Sequence, residues 1–209
     1  MTDRTATRNA ILGHLALRDW SAYELTRSLR RTLHWFWPRA ESVIYAEIKR
    51  LQSQGLAQAR QEPAADGSNR SRTVYRIAPK GRRMLAAWLA TPATPLALDI
   101  EPLLRLHLAR FGKRDDLLAA MTALRETAAQ LLADADAVAA EFVAGTHVLQ
   151  DEAHVRGLLF DALVAIGGGL ETAARDAIKE IGRWKTLEGD DQARARGVQR
   201  MRRWQETRR

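Results

Sequence analysis

Cysteine is absent from the 209 residues, which excludes disulfides, thiolate metal sites and cysteine nucleophiles together. That absence suits a reducing cytoplasm. Long apolar runs are also scarce. The stretch "AILGHLAL" near the start is too short to span a membrane and lacks a signal-type cleavage region. The best later run, "LLFDALVAIGGGL", is interrupted by Asp161. The chain is therefore expected to be soluble, with no membrane partner. No Gly-rich phosphate loop, nucleophile motif or paired carboxylates in a pocket-like context occurs, so neither catalysis nor a cofactor is expected. His147, Asp151 and His154 do fall at i, i+4, i+7 and would share one helical face. Gly145 lies where the preceding helix should end, however, and no metal site is expected.

What is present supports a folded protein. With 46% hydrophobic residues the chain can bury a real core, as one large domain or two small ones. Its net charge of +8 is unevenly spread: +9 over residues 1–90, −5 over 91–188 and +4 over 189–209. A basic first part beside an acidic middle implies a polyanion partner for the first part only.

The first ninety residues are compact and mixed. "RNAILGHLAL" predicts a short helix with Ile11, Leu12 and Leu15 on one side. In "WSAYEL", Ser21 and Glu24 have capping-box spacing, with Trp20 and Leu25 at the staple positions. That second helix is expected to run through Leu25, Leu29 and Leu33 until Pro38 ends it. A third, "ESVIYAEIKRLQSQGL", places Ile44, Ile48 and Leu51 inward and stops at Gly55. "LAQARQ" and "RTVYRI" alternate as strands, with Thr73, Tyr75 and Ile77 on one face. The turn-rich, basic "EPAADGSNRSR" joins them, and Pro79 opens a further helix.

"TPATP" at 91–95 punctuates the chain, giving expected domains at 1–91 and 96–188, with a basic tail or helix at 189–209. Beyond it everything reads as helix. "LALDIEPLLRLHLARF" forms one amphipathic segment. Leu117, Met121, Leu124, Ala128, Leu131, Ala135, Val138 and Phe142 then repeat at alternating steps of four and three, an unbroken heptad seam. Its expected cover is the stripe Val155, Leu159, Ala162, Ile166, Leu170, Ala173, Ala177, Ile181 and Trp184. The seam closes either within one chain or between two. The run Gly167–Gly169 allows either a close helix approach or a kink. The tail reads, in order of preference, as a last packed helix, a frayed end or an extra phosphate-contacting arm.

Three helices followed by a hairpin describe a winged helix-turn-helix, whose third helix enters a major groove. On that helix Ser42, Tyr45 and Lys49 share the wet face, where a tyrosine hydroxyl can donate to phosphate. Glu41 and Glu47 are the only acids expected there. Arg39 lies near the helix start, where free N–H groups favour phosphate, and Arg70 and Arg72 are the expected contacts of the wing. The expected fold class is mainly α: this domain with its two-stranded wing, then an all-helical, coiled-coil-like domain. The competing possibility is a winged-helix protein-interaction module without DNA binding, which the basic charge of the domain disfavours.

"SVIYAEIKRLQSQGL", "RTVYRIAPKGRRML" and "SAYEL" together resemble the PadR family of bacterial transcriptional regulators. The resemblance covers most of residues 8–90 and is looser beyond, resting there on "PLLRLHLARF" and Trp184. Ser42, Tyr45 and Lys49 match the family's recognition-helix pattern, whereas Arg70 and Arg72 match only its basic wing. Ala78 stands where threonine is usual, losing an N-cap, and Ala46 where many members have proline. The resemblance implies a homodimer through the C-terminal helices that binds a double-stranded DNA operator. It also implies repression, often relieved by a small aromatic effector, for which Trp184 is the one candidate contact.

Overall fold

Ser21 begins a helix in the manner its sequence demands. In the computed structural model, which describes residues 3–63 and 71–207, its Oγ accepts from the Glu24 N–H at 3.2 Å while its own N–H donates to Glu24 Oε2 at 2.9 Å. The reciprocal pair satisfies two otherwise orphaned groups, typically worth ~1 kcal/mol. Both staple residues, Trp20 and Leu25, are buried. The elements of the first unit, Met1–Leu96, are α1 (Asp3–Leu17), β1 (Trp20–Ser21), α2 (Ala22–Leu33), α3 (Glu41–Ser53), β2 (Ala57–Pro63), β3 (Ser71–Ile77) and α4 (Pro79–Leu89). Three helices and a hairpin, with α4 behind them, form a winged helix-turn-helix.

Two details differ from the sequence expectation. The sheet has three strands, in the order β1-β3-β2, because Trp20 and Ser21 pair antiparallel with Tyr75 and Val74. A two-residue strand carries no alternation for a pattern to reveal. Val74, on the face opposite Thr73 and Tyr75, is consequently buried. The second helix ends at Leu33, short of Pro38, because the Leu33 carbonyl accepts N–H groups from both Phe36 and Trp37 (3.2 and 2.7 Å) and closes a turn.

Around this frame Ile11, Leu12, Leu15, Leu25, Leu29, Ile44, Ile48, Leu51 and Leu56 form the buried core. Gly55 adopts φ +68°, and the Leu56 N–H reaches the Leu51 carbonyl at 2.9 Å, the Schellman closure that glycine permits. Gly81 has a different task. A Cβ there would lie 2.3 Å from the Leu56 carbonyl oxygen, so the glycine of "KGR" lets α4 sit tightly on the wing's base.

The second unit, Ala97–Arg209, contains α5 (Glu101–His107), α6 (Arg114–Val143), α7 (Ala153–Ile181) and α8 (Asp191–Glu206). The amphipathic segment expected from residue 96 becomes helical only at Glu101, since Pro102 fits a first helical turn and nothing deeper. The heptad seam of α6 is buried from Leu117 through Val138, leaving Phe142 half-buried. It closes within the chain, against α7.

The stripe expected on α7 is only partly right: Ile181 is buried, and Leu159, Leu170, Ala177 and Trp184 are half-buried. Val155 and Ile166 are exposed, as are Ala162 and Ala173. Gly167 and Ala174, each one residue beyond an expected position, are buried instead and form a heptad line with the expected Ile181. Gly167 explains the displacement: its missing Cβ would meet Leu131 Cδ2 at 2.8 Å and Leu132 Cδ2 at 3.0 Å. The glycine run thus gives close approach at one position, and α7 continues through it without interruption.

Large apolar side chains are left facing outward, among them Leu158 at 72% exposure, Val155, Val164 and Ile166. The expectation that no run reaches spanning length needs correction as well. By length and composition alone the segment Gln150–Ile181 is long and apolar enough to cross a membrane, and only 11% of its most apolar window is buried. One charge such as Asp161 does not bring it below that threshold.

Candidate nucleic-acid interface

On α3 the inward positions Ile44, Glu47, Ile48 and Leu51 are buried, and Ser42, Val43, Ala46 and Lys49 are exposed, with Tyr45 half-buried at the edge. The 3.6-residue period thus brings Ser42, Tyr45 and Lys49 together on the outer side, with the Tyr45 ring partly seated rather than sealed inside. Ala40 precedes the helix and no side chain caps it. A helix start without a side-chain cap leaves backbone N–H groups that favour an anion.

The acids differ from expectation. Glu47 is not on the wet face but buried, and it accepts from Arg50 Nε at 2.8 Å, with a second bond from Arg50 Nη2. A buried carboxylate needs such a partner, and the bond holds the Arg50 guanidinium further above its ordinary pKa. Glu41 is bridged to Arg30 of α2. The outer side therefore offers a polyanion fewer free carboxylates than its sequence suggests.

The arginines are less available than expected. Arg39 lies over the Trp37 ring, 4.6 Å from its centroid, and its Nε donates to Thr7 Oγ1 of α1 at 3.4 Å. Arg72 donates to Glu24 Oε1 at 3.0 Å and stands 3.5 Å from Glu62, so it ties β3 to the start of α2 and to β2. Glu24 itself is pulled two ways. Burial raises its pKa, but the Ser21 bonds and then Arg72 outweigh that and leave it below its ordinary value. Arg70, with the wing tip, falls outside the described residues.

Three exposed neighbours escaped the sequence reading: Val43 and Ala46 on α3, and Tyr23 on the first turn of α2. Helical spacing alone would have put Val43 and Ala46 beside Ser42, but attention to charged and hydroxyl groups passes over aliphatic ones.

In the second unit Trp184 is half-buried against Leu117, Met121 and Ile181. Its Nε1 donates to Glu180 Oε1 at 3.2 Å. The same carboxylate, 8% exposed, accepts from Arg196 at 2.8 Å and Arg200 at 3.0 Å, both on α8. Burial alone would raise the Glu180 pKa, yet the bonds from Arg196, Trp184 and Arg200 prevail and hold it below the ordinary value. The tail is thus a helix fastened by charge, capped at its start by Asp190, whose Oδ1 accepts from the Ala193 N–H. The triplet His147, Asp151 and His154 does not share a helix. His147 lies in the turn before α7, stacked on Phe142 at 3.9 Å, and its Nδ1 accepts from the Leu149 N–H.

Comparison with known proteins matches the same elements. Residues 11–87 match the transcriptional regulator PadR-like family. The negative transcriptional regulator PadR of Bacillus subtilis is 31% identical over 80 residues, 38% of this chain and 43% of that protein. The chain spans a little under half the length of the curated relatives it matches. Among solved structures, Bacillus subtilis PadR in complex with operator DNA superposes with a TM-score of 0.68 at 20% identity, covering 84% of this chain and 99% of that one. The same protein in complex with p-coumaric acid gives 0.63 at 19% identity, covering 88% and 98%. At such identities the superpositions establish the fold alone.

Proposed function

We propose, from the premise that residues 11–87 make this chain a member of the PadR-like family of transcriptional regulators, that it is a sequence-specific DNA-binding regulator acting as a dimeric repressor. The observation that carries the proposal is the outer side of α3, where Ser42, Tyr45 and Lys49 stand beside an uncapped helix start. Phosphate contacts supply most of the affinity of such a domain, and contacts to base edges supply its specificity. A protein-interaction module without DNA binding would want an acidic or apolar outer face. Burial of Glu47 and pairing of Glu41 weigh against the acidic form of that alternative.

A homodimer through the second unit accounts for the large apolar side chains left exposed on α7, since exposed apolar surface of this kind marks an interaction site. Burial against a second copy is favoured over lipid because the opposite side of the same helix already packs on α6. Operator DNA and p-coumaric acid are the ligands of the Bacillus subtilis structures. By analogy the signal here is a small aromatic compound, with Trp184 as its candidate contact. The family consists of transcriptional regulators, and no catalytic role is proposed. Its place of action is the cytoplasm, at the nucleoid.

Gel-shift titration with the DNA upstream of its own coding region, repeated over a salt series, tests the proposal. Binding should fall steeply with salt. Lys49→Ala should lower the log–log salt slope by about one, and Tyr45→Phe should weaken binding without altering the melting curve. No retardation at low ionic strength would reject DNA binding. If a panel of phenols leaves tryptophan fluorescence unquenched, the effector role of Trp184 falls separately.

A further inference from the structure

Val43 is 45% exposed on the first turn of α3, and Ala46, one turn further, is exposed beside it. A β-branched residue is a poor choice for a wet helical position, since it loses side-chain freedom there and gains nothing from water. Both residues lie on the side that also carries Ser42 and Lys49. Side chains at i and i+3 are about 5–6 Å apart, so the two form a short apolar strip within a polar face. In the major groove the thymine C5-methyl is the apolar feature that distinguishes one base edge from the others. An aliphatic strip has no hydrogen bond to offer a base or a phosphate, and its chemistry matches that methyl alone.

We propose that Val43 and Ala46 read thymine methyl groups, so that each operator half-site carries A·T pairs beneath the start of α3. This rests on the DNA-binding function proposed above and adds a specificity determinant to it. The strip spans about two base steps of 3.4 Å, enough for one or two thymines. Ser42 and Lys49, flanking it, supply polar contacts that do not depend on the methyl.

The test begins with selection of binding sites from a random duplex pool by the full chain. Each thymine of the selected site is then replaced singly by deoxyuridine, which removes only the methyl group. One or two replacements should weaken binding about fourfold, the worth of one buried methyl. Val43→Ala should reduce that penalty below about twofold, whereas Lys49→Ala should weaken thymine and uracil duplexes alike. Because Val43 is exposed and alanine is the better helix former, the variant should fold, and its circular dichroism should match the parent. If no replacement exceeds about twofold, or Val43→Ala keeps the parent's full penalty, thymine reading is overturned while DNA binding stands. If the chain enriches no sequence at all, the DNA-binding proposal falls first and takes this one with it.

Discussion

α6 and α7 are nearly equal in length, 30 and 29 residues, and both repeat apolar residues at helical spacing, yet they dispose of them oppositely. α6 buries Leu117, Met121, Leu124, Leu131 and Val138 along one line against α7. α7 offers that contact its small residues, Gly167 and Ala174, with Ile181 at the end, and turns Val155, Leu158, Val164 and Ile166 outward. Periodicity announces that a helix has a face to cover. It does not say which neighbour covers it. Helices approach most closely where side chains are smallest, so the densest contact lies on the line that looks least hydrophobic.

Breaking the sealed side should have the largest effect. Met121 is wholly buried, and Met121→Ala should cost about 2–5 kcal/mol, read from the urea midpoint. Gly167→Ala attacks the close approach itself. With Leu131 Cδ2 only 2.8 Å from the added carbon, it should cost about 1–3 kcal/mol by overpacking. Gly168→Ala, where no atom lies within 4 Å, should instead gain up to about 1 kcal/mol from helix propensity. Equal effects at the two glycines would refute the packing line drawn through Gly167.

Acid sharpens the comparison at the α7–α8 join. Glu180 has a lowered pKa in the fold, so its contribution is present above the ordinary value of 4.5 and is lost as pH falls below that through the lowered one. α8 should therefore loosen in acid below pH 4.5, visible as a change in tryptophan emission. Glu180→Gln should remove that transition. The smallest effect on folding is expected on the open side. Leu158→Asp should leave the fold of the unit within about 0.5 kcal/mol, but should shift sedimentation from two copies to one. A sedimentation coefficient unchanged by Leu158→Asp would argue against the outward side of α7 as the dimer contact.

The first unit was more legible than the second. Ser21 and Glu24, Gly55, and the alternation into Ile77 each specify a local geometry through groups within a few residues of one another, and the structure contains each of them. The outer side of α3 followed from the same short-range periodicity. The fate of its charges did not. Glu47, an expected surface acid, sits at an inward position of the helix and is paired there with Arg50. Arg72 looked like a free cation until β3 brought it beside Glu24, 48 residues earlier. A charged side chain reports its own chemistry in the sequence, whereas its partner is chosen by the path of the chain.

The sequence by itself therefore determined the helices of the first unit, the hairpin, the Ser21 cap and the Gly55 stop, and the hydroxyl and ammonium groups set outward on α3, because all of these depend on interactions spanning a turn or two. Tertiary structure alone decided the third strand, the one-residue displacement of the packing line at Gly167 and Ala174, the pairing of Arg72 and the fastening of α8 to Glu180. Each of those requires segments far apart in the chain to meet. Which atoms then lie within hydrogen-bonding or van der Waals reach is fixed by three-dimensional proximity, and no local pattern of residues carries it.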